Sequence, residues 1–205
     1  MLTATAMDLR AVAHWASDYL DSLSHEQRVF RIASTLFDLT RDIHRLDQGA
    51  RHVLRAAAIV HDIGRSVAKG GHESTGAQLV LRDKRLRVPD ADRRALAFLT
   101  LYHRGPVPDA GDERLLKSDD DRDTLRKLLA LLRAADALDS RSKERPRLIF
   151  GLKKKRLKVT CYLEQSCPKT RRLYERRKKF RLLENEFGCT VEIDVRCADA
   201  LKLVA

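Results

Sequence analysis

The stretch ARHVLRAAAIVHD, residues 50–62, is apolar on most faces of a helix and ends on a histidine and an aspartate. A helix that is apolar all round is usually buried, so these residues predict a central helix of the core. Burying the carboxylate of Asp62 without a partner would cost on the order of several kcal/mol. A divalent cation can supply that partner, because it binds both imidazole nitrogen and carboxylate oxygen. His61 and Asp62 are therefore candidate metal ligands.

Apolar residues recur at helical spacing on both sides of this segment and predict an α-helical body. The predicted helices cover residues 6–21, 24–43, 50–62, 73–83, 90–103 and 122–139. Between the last two helices, residues 105–121 are rich in Gly, Pro and Asp, which predicts a polar loop.

Two local signals mark the ends of helices. Ser24 and Gln27 have the spacing of a capping box, in which each side chain accepts a hydrogen bond from the other residue's exposed backbone N–H. This spacing places His25 in the first turn of a long helix. Gly64 follows the central helix where a glycine C-cap is expected.

After the last predicted helix the sequence changes to short alternating segments with many basic residues. Residues 147–164 (RLIFGLKKKRLKVTCYLE) predict two short strands around a basic turn. Pro168 opens a basic helix that is expected to end at Gly188. Residues 189–195 alternate again and predict a last strand.

The net charge divides the chain at the same place. Residues 1–140 carry 22 Lys and Arg against 21 Asp and Glu, whereas residues 141–205 carry 19 against 8. Nearly all of the net charge of +12 therefore lies in the second region. The expected fold class is mostly α: a helical bundle over 1–140, followed by a small basic α+β subdomain (strand–strand–helix–strand) over 141–205. The charge predicts a polyanionic partner for this tail, and the alternative is a solvated basic surface.

Several classes of protein are disfavoured by the composition. No apolar run reaches the length of a membrane span, about 18 residues or more, and no secretory signal pattern opens the chain. The four cysteines form no C-x-x-C pair, which favours reduced thiols over a zinc knuckle. We expect a cytoplasmic protein without membrane contacts, and a homodimer is one of the oligomeric states left open. The chain has no Gly-rich phosphate loop, which disfavours a P-loop enzyme.

A second carboxylate poses the same problem as Asp62. Asp136 lies in LLRAADALD, on an otherwise apolar helix face, and also needs a cationic partner. That partner could be a metal ion, or an arginine such as Arg133 or Arg65. The choice between the two stays open from the residues alone.

Histidines and aspartates at helix ends form an ordered series along the chain. Its members are His25, His61, Asp62, His72, His103 and Asp136. The series resembles the H…HD…H…H…D signature of the HD superfamily of metal-dependent phosphohydrolases. The segments VHDIGRSVAKGGHESTGAQLVL, LTLYHRG and LLRAADALDS, with the basic tail behind them, are similar to the C-terminal helical domain of the Ppx/GppA exopolyphosphatase and guanosine pentaphosphatase family. The likeness covers residues 24–195.

The resemblance implies roles for the residues of the series. One divalent ion, either Mn²⁺, Mg²⁺, Fe²⁺ or Zn²⁺, would be held by His25, His61, Asp62 and Asp136. His72 and His103 would act with Asp62 in catalysis: they would contact the scissile phosphate, protonate the leaving group or hold a second metal. The alternative for each of these two histidines is a capping or core role.

Arginines and a lysine close to the series in sequence are candidates for binding the phosphate charge. These residues are Arg28, Arg65, Lys69 and Arg104. Alone, each is as well explained by an exposed position.

The implied function is a metal-dependent phosphohydrolase acting on a nucleotide or polyphosphate-like substrate, as either a phosphomonoesterase or a phosphodiesterase. The alternative is a non-catalytic accessory module that binds polyphosphate, nucleic acid or a protein partner through its basic tail. Two departures from the family matter. Polyphosphate cleavage in the family takes place in two preceding actin-like domains that are not among these 205 residues. In addition, Ser74 stands where the family tends to have a second histidine after His72.

Overall fold

The computed structural model describes residues 7–68, 70–109, 111, 113, 115–118, 120–139, 146–164, 171–172, 174 and 177–197. The helices of the body are α1 (Leu9–Ser17), α2 (Ser24–Leu39), α3 (Arg41–His44), α4 (Gln48–Val60), α5 (His72–Arg82), α6 (Asp90–Tyr102) and α7 (Arg122–Leu138), with a 3₁₀ turn at Ile63–Ser66. The tail consists of β1 (Arg147–Lys153), β2 (Arg156–Leu163), a 3₁₀ turn at Arg177–Phe180, α8 (Arg181–Phe187) and β3 (Thr190–Cys197). The predicted fold class, mostly α with a small α+β tail, is confirmed.

The body is built around α4 and α7, which both pack against α2 and α6. Helix α7 buries 11 of its 17 residues on the apolar face that its helical spacing predicts. Its first turn is capped by the side chain of Asp121, which accepts from the backbone N–H of Thr124 at 3.0 Å. Asp47 caps α4 in the same way, accepting from the N–H of Ala50 at 2.8 Å. Both caps satisfy N–H groups that the helix itself leaves open.

The three strands form one sheet in the order β1–β2–β3. β1 and β2 are antiparallel, and β2 and β3 are parallel. The alternation expected for β2 is confirmed, since Val159, Cys161 and Leu163 are buried. The tail contacts α7 through α8, and its apolar side chains join the core of the body. The division of the chain at residues 140/141 remains a prediction, because residues 140–145 lie outside the described part.

Three local predictions about helix ends need correction or qualification. The capping box is wrong: α2 begins at Ser24, Leu23 is the N-cap residue, and the Ser24 N–H donates to Ser22 Oγ at 3.2 Å. His25 nevertheless lies in the first turn, as expected. The basic helix ends as predicted at Gly188, whose φ of 55° is left-handed. It is not one continuous α-helix, however, because residues 177–180 form a 3₁₀ turn.

Gly64 is not a helix C-cap, and its role is close packing. Helix α4 ends with His61 at the cap position, and the chain continues into the 3₁₀ turn that contains Gly64. A Cβ added to Gly64 would lie 2.0 Å from the backbone oxygen of His72 and 2.6 Å from the backbone nitrogen of Gly76. The missing side chain thus lets the start of α5, with His72, approach the His61–Asp62 pair.

Two cysteines of the tail, Cys161 and Cys189, are buried and form no disulfide. Burial raises the pKa of the Cys161 thiol to about 12. This thiol therefore stays protonated and unreactive at neutral pH, in line with the expected reduced state. The side chains of Cys167 and Cys197 lie outside the described part of the chain. Among the described residues, no helix is long and apolar enough to cross a membrane.

Asp83 joins helix α1 to the segment after α5. Its Oδ2 accepts hydrogen bonds from Trp15 Nε1 at 2.9 Å and from Tyr19 Oη at 2.6 Å. Arg85 Nη2 lies 2.7 Å from the same oxygen. Hydrogen bonds from Arg85, Tyr19 and Trp15 outweigh the effect of burial and hold the pKa of Asp83 well below its usual range. The ionised carboxylate is therefore the form that stabilises this contact.

Replacing Asp83 with Ala should lower the free energy of unfolding by about 2 kcal/mol, as expected for hydrogen bonds to a charged group. Because the folded-state pKa is depressed, the contribution is complete above the unfolded pKa of about 3.9 and is lost as the pH falls below it. Urea unfolding should therefore show a gap between Asp83→Ala and wild type at about pH 7 that narrows near pH 3. Asp18→Ala is the control, since Asp18 is exposed and pairs only at the surface with Arg85. An equal loss in both variants would contradict this account.

Candidate metal centre

The ends of five helices meet at one point in the body. His25 lies in the first turn of α2, and His61 and Asp62 follow α4. His72 opens α5, His103 follows α6, and Asp136 lies in the last turn of α7. The structure thus brings together all six members of the ordered series. Helix ends suit this purpose, because they direct side chains inward while the helix bodies form the core.

One group of donor atoms surrounds the Nε2 atom of His25. This atom lies 3.3 Å from His61 Nε2, 3.3 Å from Asp136 Oδ1 and 3.7 Å from Asp62 Oδ2. His61 Nε2 lies 3.7 Å from both of these carboxylate oxygens. The two imidazole nitrogens and the Asp62 oxygen therefore lie close enough for one cation to bridge them. Asp136 Oδ1 lies beside both imidazoles.

A second group lies on the other oxygen of Asp62. Asp62 Oδ1 is 3.0 Å from His72 Nε2 and 3.3 Å from His103 Nε2. Both of these nitrogens are buried, and neither has a hydrogen-bond partner among the residues that the structure describes. The carboxylate of Asp62 is thus shared between the two groups, with one oxygen facing each.

The orientation of the imidazole rings is set by their Nδ1 atoms. His61 Nδ1 lies 3.0 Å from the carbonyl oxygen of Ala58, and His103 Nδ1 lies 2.7 Å from that of Thr100. A carbonyl can only accept, so each Nδ1 carries the proton and donates it. In the neutral ring Nε2 is then left with its lone pair, the form that binds a metal.

Asp139 is a member of the site that the sequence analysis missed. Its Oδ2 accepts from His25 Nδ1 at 2.5 Å, and its Oδ1 accepts from Arg28 Nε at 2.6 Å. A carboxylate behind a ligating histidine fixes the ring and raises its basicity. The available signal was the spacing of Asp136 and Asp139, which puts both carboxylates on one face at the end of α7.

The surroundings of these side chains favour the protonation states that bind a cation, which are ionised carboxylates and a neutral imidazole. Burial alone would raise the pKa of Asp136, but its contacts with His25 and His61 hold it well below its usual range. Burial likewise opposes ionisation of Asp139, and its contacts with His25 and Arg28 outweigh that effect and lower its pKa. Burial lowers the pKa of His72, so this ring is neutral at neutral pH.

The candidate phosphate-binding side chains lie in different positions. Arg65 Nε is 2.8 Å from Asp62 Oδ2, without the alignment of a hydrogen bond. Arg104 Nε is 3.8 Å from Asp136 Oδ2, and its side chain is 45% exposed. Arg28 is mostly buried against Asp139. Lys69 lies outside the described residues, so its role stays a prediction.

Neither Arg133 nor Arg65 forms the ion pair with Asp136 that the sequence left open, although a third arginine, Arg104, lies 3.8 Å from its Oδ2. Arg133 donates instead to the backbone oxygens of Tyr102 and Gly105, at 3.0 and 2.9 Å. These contacts hold the end of α6, where His103 lies. Arg65 is at Asp62. The nearest described partners of Asp136 are the imidazoles of His25 and His61.

Replacing Asp139 with Asn should weaken metal binding by about 10- to 100-fold, the usual effect of losing an outer partner of a ligand. The shape is retained, but the charge that orients His25 is lost. Competition with a chelating dye for Mn²⁺ or Zn²⁺ measures the affinity. Asp38→Asn is a matched control, because Asp38 also pairs with an arginine, Arg51, but its side chain is exposed and does not belong to the centre. Equal affinities for all three proteins would contradict the role of Asp139.

Comparison with known families identifies the family of this chain. A search of curated proteins finds no match. The family model for Ppx/GppA phosphatase, domain III, matches residues 9–178, which include every member of the ordered series. Since this match covers most of the chain, the protein belongs to the Ppx/GppA phosphatase domain III family.

Proposed function

We propose that this protein is a metal-dependent phosphohydrolase acting on a phosphorylated substrate, either a nucleotide or a polyphosphate-like molecule. The close approach of His25 Nε2 and His61 Nε2, 3.3 Å apart, carries the proposal. Both rings use their Nδ1 proton elsewhere, in contacts with Asp139 and the Ala58 carbonyl. Two lone pairs at this distance repel each other unless a proton or a cation lies between them.

The donor set fits a divalent metal ion. His25, His61, Asp62 and Asp136 would hold it, through imidazole nitrogens and carboxylate oxygens. A set with two imidazoles favours Mn²⁺, Fe²⁺ or Zn²⁺ over Mg²⁺, which prefers oxygen ligands. The buried nitrogens of His72 and His103, which lack hydrogen-bond partners in the described part of the chain, are consistent with a second cation or a substrate oxygen there. When bound, a divalent ion lowers the pKa of a bound water and polarises a phosphoryl oxygen.

The exposure of the side chains indicates where substrate would enter. His61 and His103 are fully buried, whereas the side chains of Asp136 and His72 are each 11% exposed. Arg65 and Arg104 lie beside this more open edge and are themselves partly exposed. Their guanidinium groups would contact the phosphate and offset its charge. Arg28 would act through Asp139 and position His25.

The two histidines of the second group would act on protons or on the phosphate. His72 is neutral at neutral pH, so its Nε2 can accept a proton or bind a cation, and it is a poor proton donor. His103 is held by the Thr100 carbonyl with Nε2 toward Asp62. His72 Nε2 lies on the same Asp62 oxygen, and the His72 side chain, 11% exposed, is the one of the two that the phosphate would reach first.

A phosphatase screen tests the proposal. The protein is stripped with chelator, reloaded with Mn²⁺, Fe²⁺, Zn²⁺ or Mg²⁺, and offered p-nitrophenyl phosphate, its diester, nucleoside monophosphates, pyrophosphate and polyphosphate. We expect hydrolysis of at least one of these that depends on added metal and is reduced in Arg104→Met. Arg147→Met is the control, since Arg147 is an exposed arginine on β1. No metal-dependent hydrolysis of any of these substrates would count against the proposal.

A second candidate is a non-catalytic accessory module, favoured by the charge of the sheet. The turn between β1 and β2 is formed by exposed Lys154 and Lys155 and is flanked by exposed Lys153, Arg156 and Lys158. Such a cluster would bind polyphosphate, nucleic acid or an acidic protein. If it does, the affinity for a fluorescent polyphosphate should fall steeply with added salt and in the variant with Lys154 and Lys155 changed to Gln. Binding that is insensitive to salt would contradict this candidate.

A further inference from the structure

A cavity of about 830 Å³ opens beside the metal centre. Two of its lining residues connect it to the centre. Glu73 Oε2 lies 3.4 Å from His72 Nδ1, and Arg104 Nε lies 3.8 Å from Asp136 Oδ2. A molecule whose phosphate lay at the open edge of the centre could therefore extend into this cavity. Its volume lies within the usual range of small-molecule sites, roughly 300–1,000 Å³.

One side of the cavity is apolar and partly aromatic. The described side chains that form it include Leu101, Tyr102, Val107 and Leu116, together with two prolines of the loop after α6. Surfaces of this kind bind the face of a planar organic group through burial and stacking. They offer nothing to a chain of phosphates, whose oxygens need cations or N–H donors along their whole length.

One lining side chain of the cavity, Glu113, carries an acceptor that has no partner among the described residues. The Glu113 side chain is 1% exposed, and its Oε1 has no hydrogen-bond partner among the described residues. Its Oε2 accepts from the backbone N–H of Gly111 at 2.8 Å and lies 3.4 Å from Arg122 Nε. Burial opposes ionisation, but backbone N–H groups and Arg122 outweigh it and lower the pKa of Glu113. A buried acceptor of this kind is costly unless a ligand donates to it.

The charges of the cavity also distinguish between substrates. Among the described lining residues, Glu73 and Glu113 balance Arg104 and Arg122. A polyphosphate chain would require an excess of positive charge, whereas a molecule with a single phosphate requires it only at the end next to the metal centre. Arg104 lies at that end, and Glu113 lies in the part that would face the organic group.

We propose that this cavity binds the nucleoside part of a nucleoside monophosphate, with Glu113 Oε1 accepting from an N–H or O–H group and the phosphate directed to Arg104 and the metal centre. The position of the phosphate in this assignment rests on the proposed hydrolase function. The nucleoside contacts are inferred from the cavity alone. The substrate is then a soluble phosphomonoester, and inorganic polyphosphate is a poor one.

The test measures binding of nucleosides that carry no phosphate, so that it does not depend on turnover. Adenosine, guanosine, cytidine and uridine are titrated into the metal-loaded protein and followed by saturation-transfer NMR. In Glu113→Gln the amide oxygen stays at the position of Oε2, where it accepts from the Gly111 N–H, so the amide NH₂ takes the position of Oε1. The NH₂ group then faces the N–H or O–H donor of the nucleoside and cannot accept from it. Val107→Trp fills the cavity without changing its polar groups. Glu192→Gln, on the exposed face of β3, is the matched control, and thermal unfolding checks each fold.

We expect at least one nucleoside to bind the wild type and Glu192→Gln, and to bind Glu113→Gln at least about tenfold more weakly. Val107→Trp should lose binding as well. The matching nucleoside monophosphate should be hydrolysed better than pyrophosphate or polyphosphate. If pyrophosphate or polyphosphate is cleaved and no nucleoside binds, the hydrolase proposal stands and this inference is wrong. If nucleosides bind as expected without turnover of any phosphate, the cavity assignment stands and the hydrolase proposal fails.

Discussion

Asp62→Asn is expected to weaken metal binding by more than about 100-fold, beyond the effect of losing an outer partner, and to remove metal-dependent hydrolysis with it. Asp62 is the one described side chain that contributes to both groups of donors, through Oδ2 toward His25 and His61 and through Oδ1 toward His72 and His103. Asn has nearly the same shape, but it lacks the negative charge and turns an NH₂ group toward one of the two groups. The substitution therefore weakens cation binding in both groups of donors at once.

The hydrolysis assay and the dye competition described above measure this effect. Asp123→Asn serves as the control, since Asp123 is 73% exposed on α7 and pairs with Lys127 within the same helix. Thermal unfolding in chelator should show that Asp62→Asn still folds, because the substitution leaves the apolar core unchanged. A folded Asp62→Asn protein with wild-type metal affinity would exclude Asp62 from the site.

Gly64→Ala is expected to lower the free energy of unfolding by about 3 kcal/mol or more, at the upper end of the cost of overpacking. The added Cβ would lie 2.0 Å from the His72 oxygen and 2.6 Å from the Gly76 nitrogen. Both are backbone atoms, so no side-chain rotation can relieve the clash. The start of α5 must move away, and His72 moves with it.

Urea unfolding in the presence of chelator separates this effect from metal binding. Gly70→Ala is the control, because a Cβ at Gly70 would have no neighbour within 4 Å. It should change the free energy of unfolding by no more than about 0.5 kcal/mol. Gly64→Ala with a stability close to that of Gly70→Ala would mean that α5 does not pack as closely against the 3₁₀ turn as described.

The fold and the inner part of the site could be predicted from the sequence because both depend on local patterns. Helical spacing of apolar residues located each long helix of the body, and alternation located the strands. His61 and Asp62 stand at the end of a helix, where polar residues interrupt an apolar pattern and invite a functional explanation. The same argument led to Asp136, although the sequence left its partner open between a metal and an arginine. The role of His25 came from the resemblance to the HD signature.

What the sequence did not reveal depends on contacts between distant segments. Asp139 looks like an ordinary polar residue at the end of a helix, with its spacing from Asp136 as the one signal, and the structure places it behind His25, 114 residues earlier. Gly64 satisfies a helix-end rule in the sequence, whereas its actual role is the approach of α5. Residues 105–121 predicted a polar loop, and nothing in their composition indicated that Glu113 would be buried in the wall of a cavity. Ser24 was misassigned as a cap because one-residue shifts at helix ends lie below what patterns resolve.

The central claim is that the His and Asp side chains of the first group hold a metal ion, and the metal content of the protein tests it most directly. The wild type is purified without chelator, and its ions are counted by elemental mass spectrometry beside Asp62→Asn, Asp136→Asn and the control Asp123→Asn. We predict about one or two divalent ions per chain, as expected for a one- or two-metal site, in the wild type and the control, and none in the other two variants. A wild type that holds no metal, and takes up none from Mn²⁺, Fe²⁺, Zn²⁺ or Mg²⁺, would contradict the account.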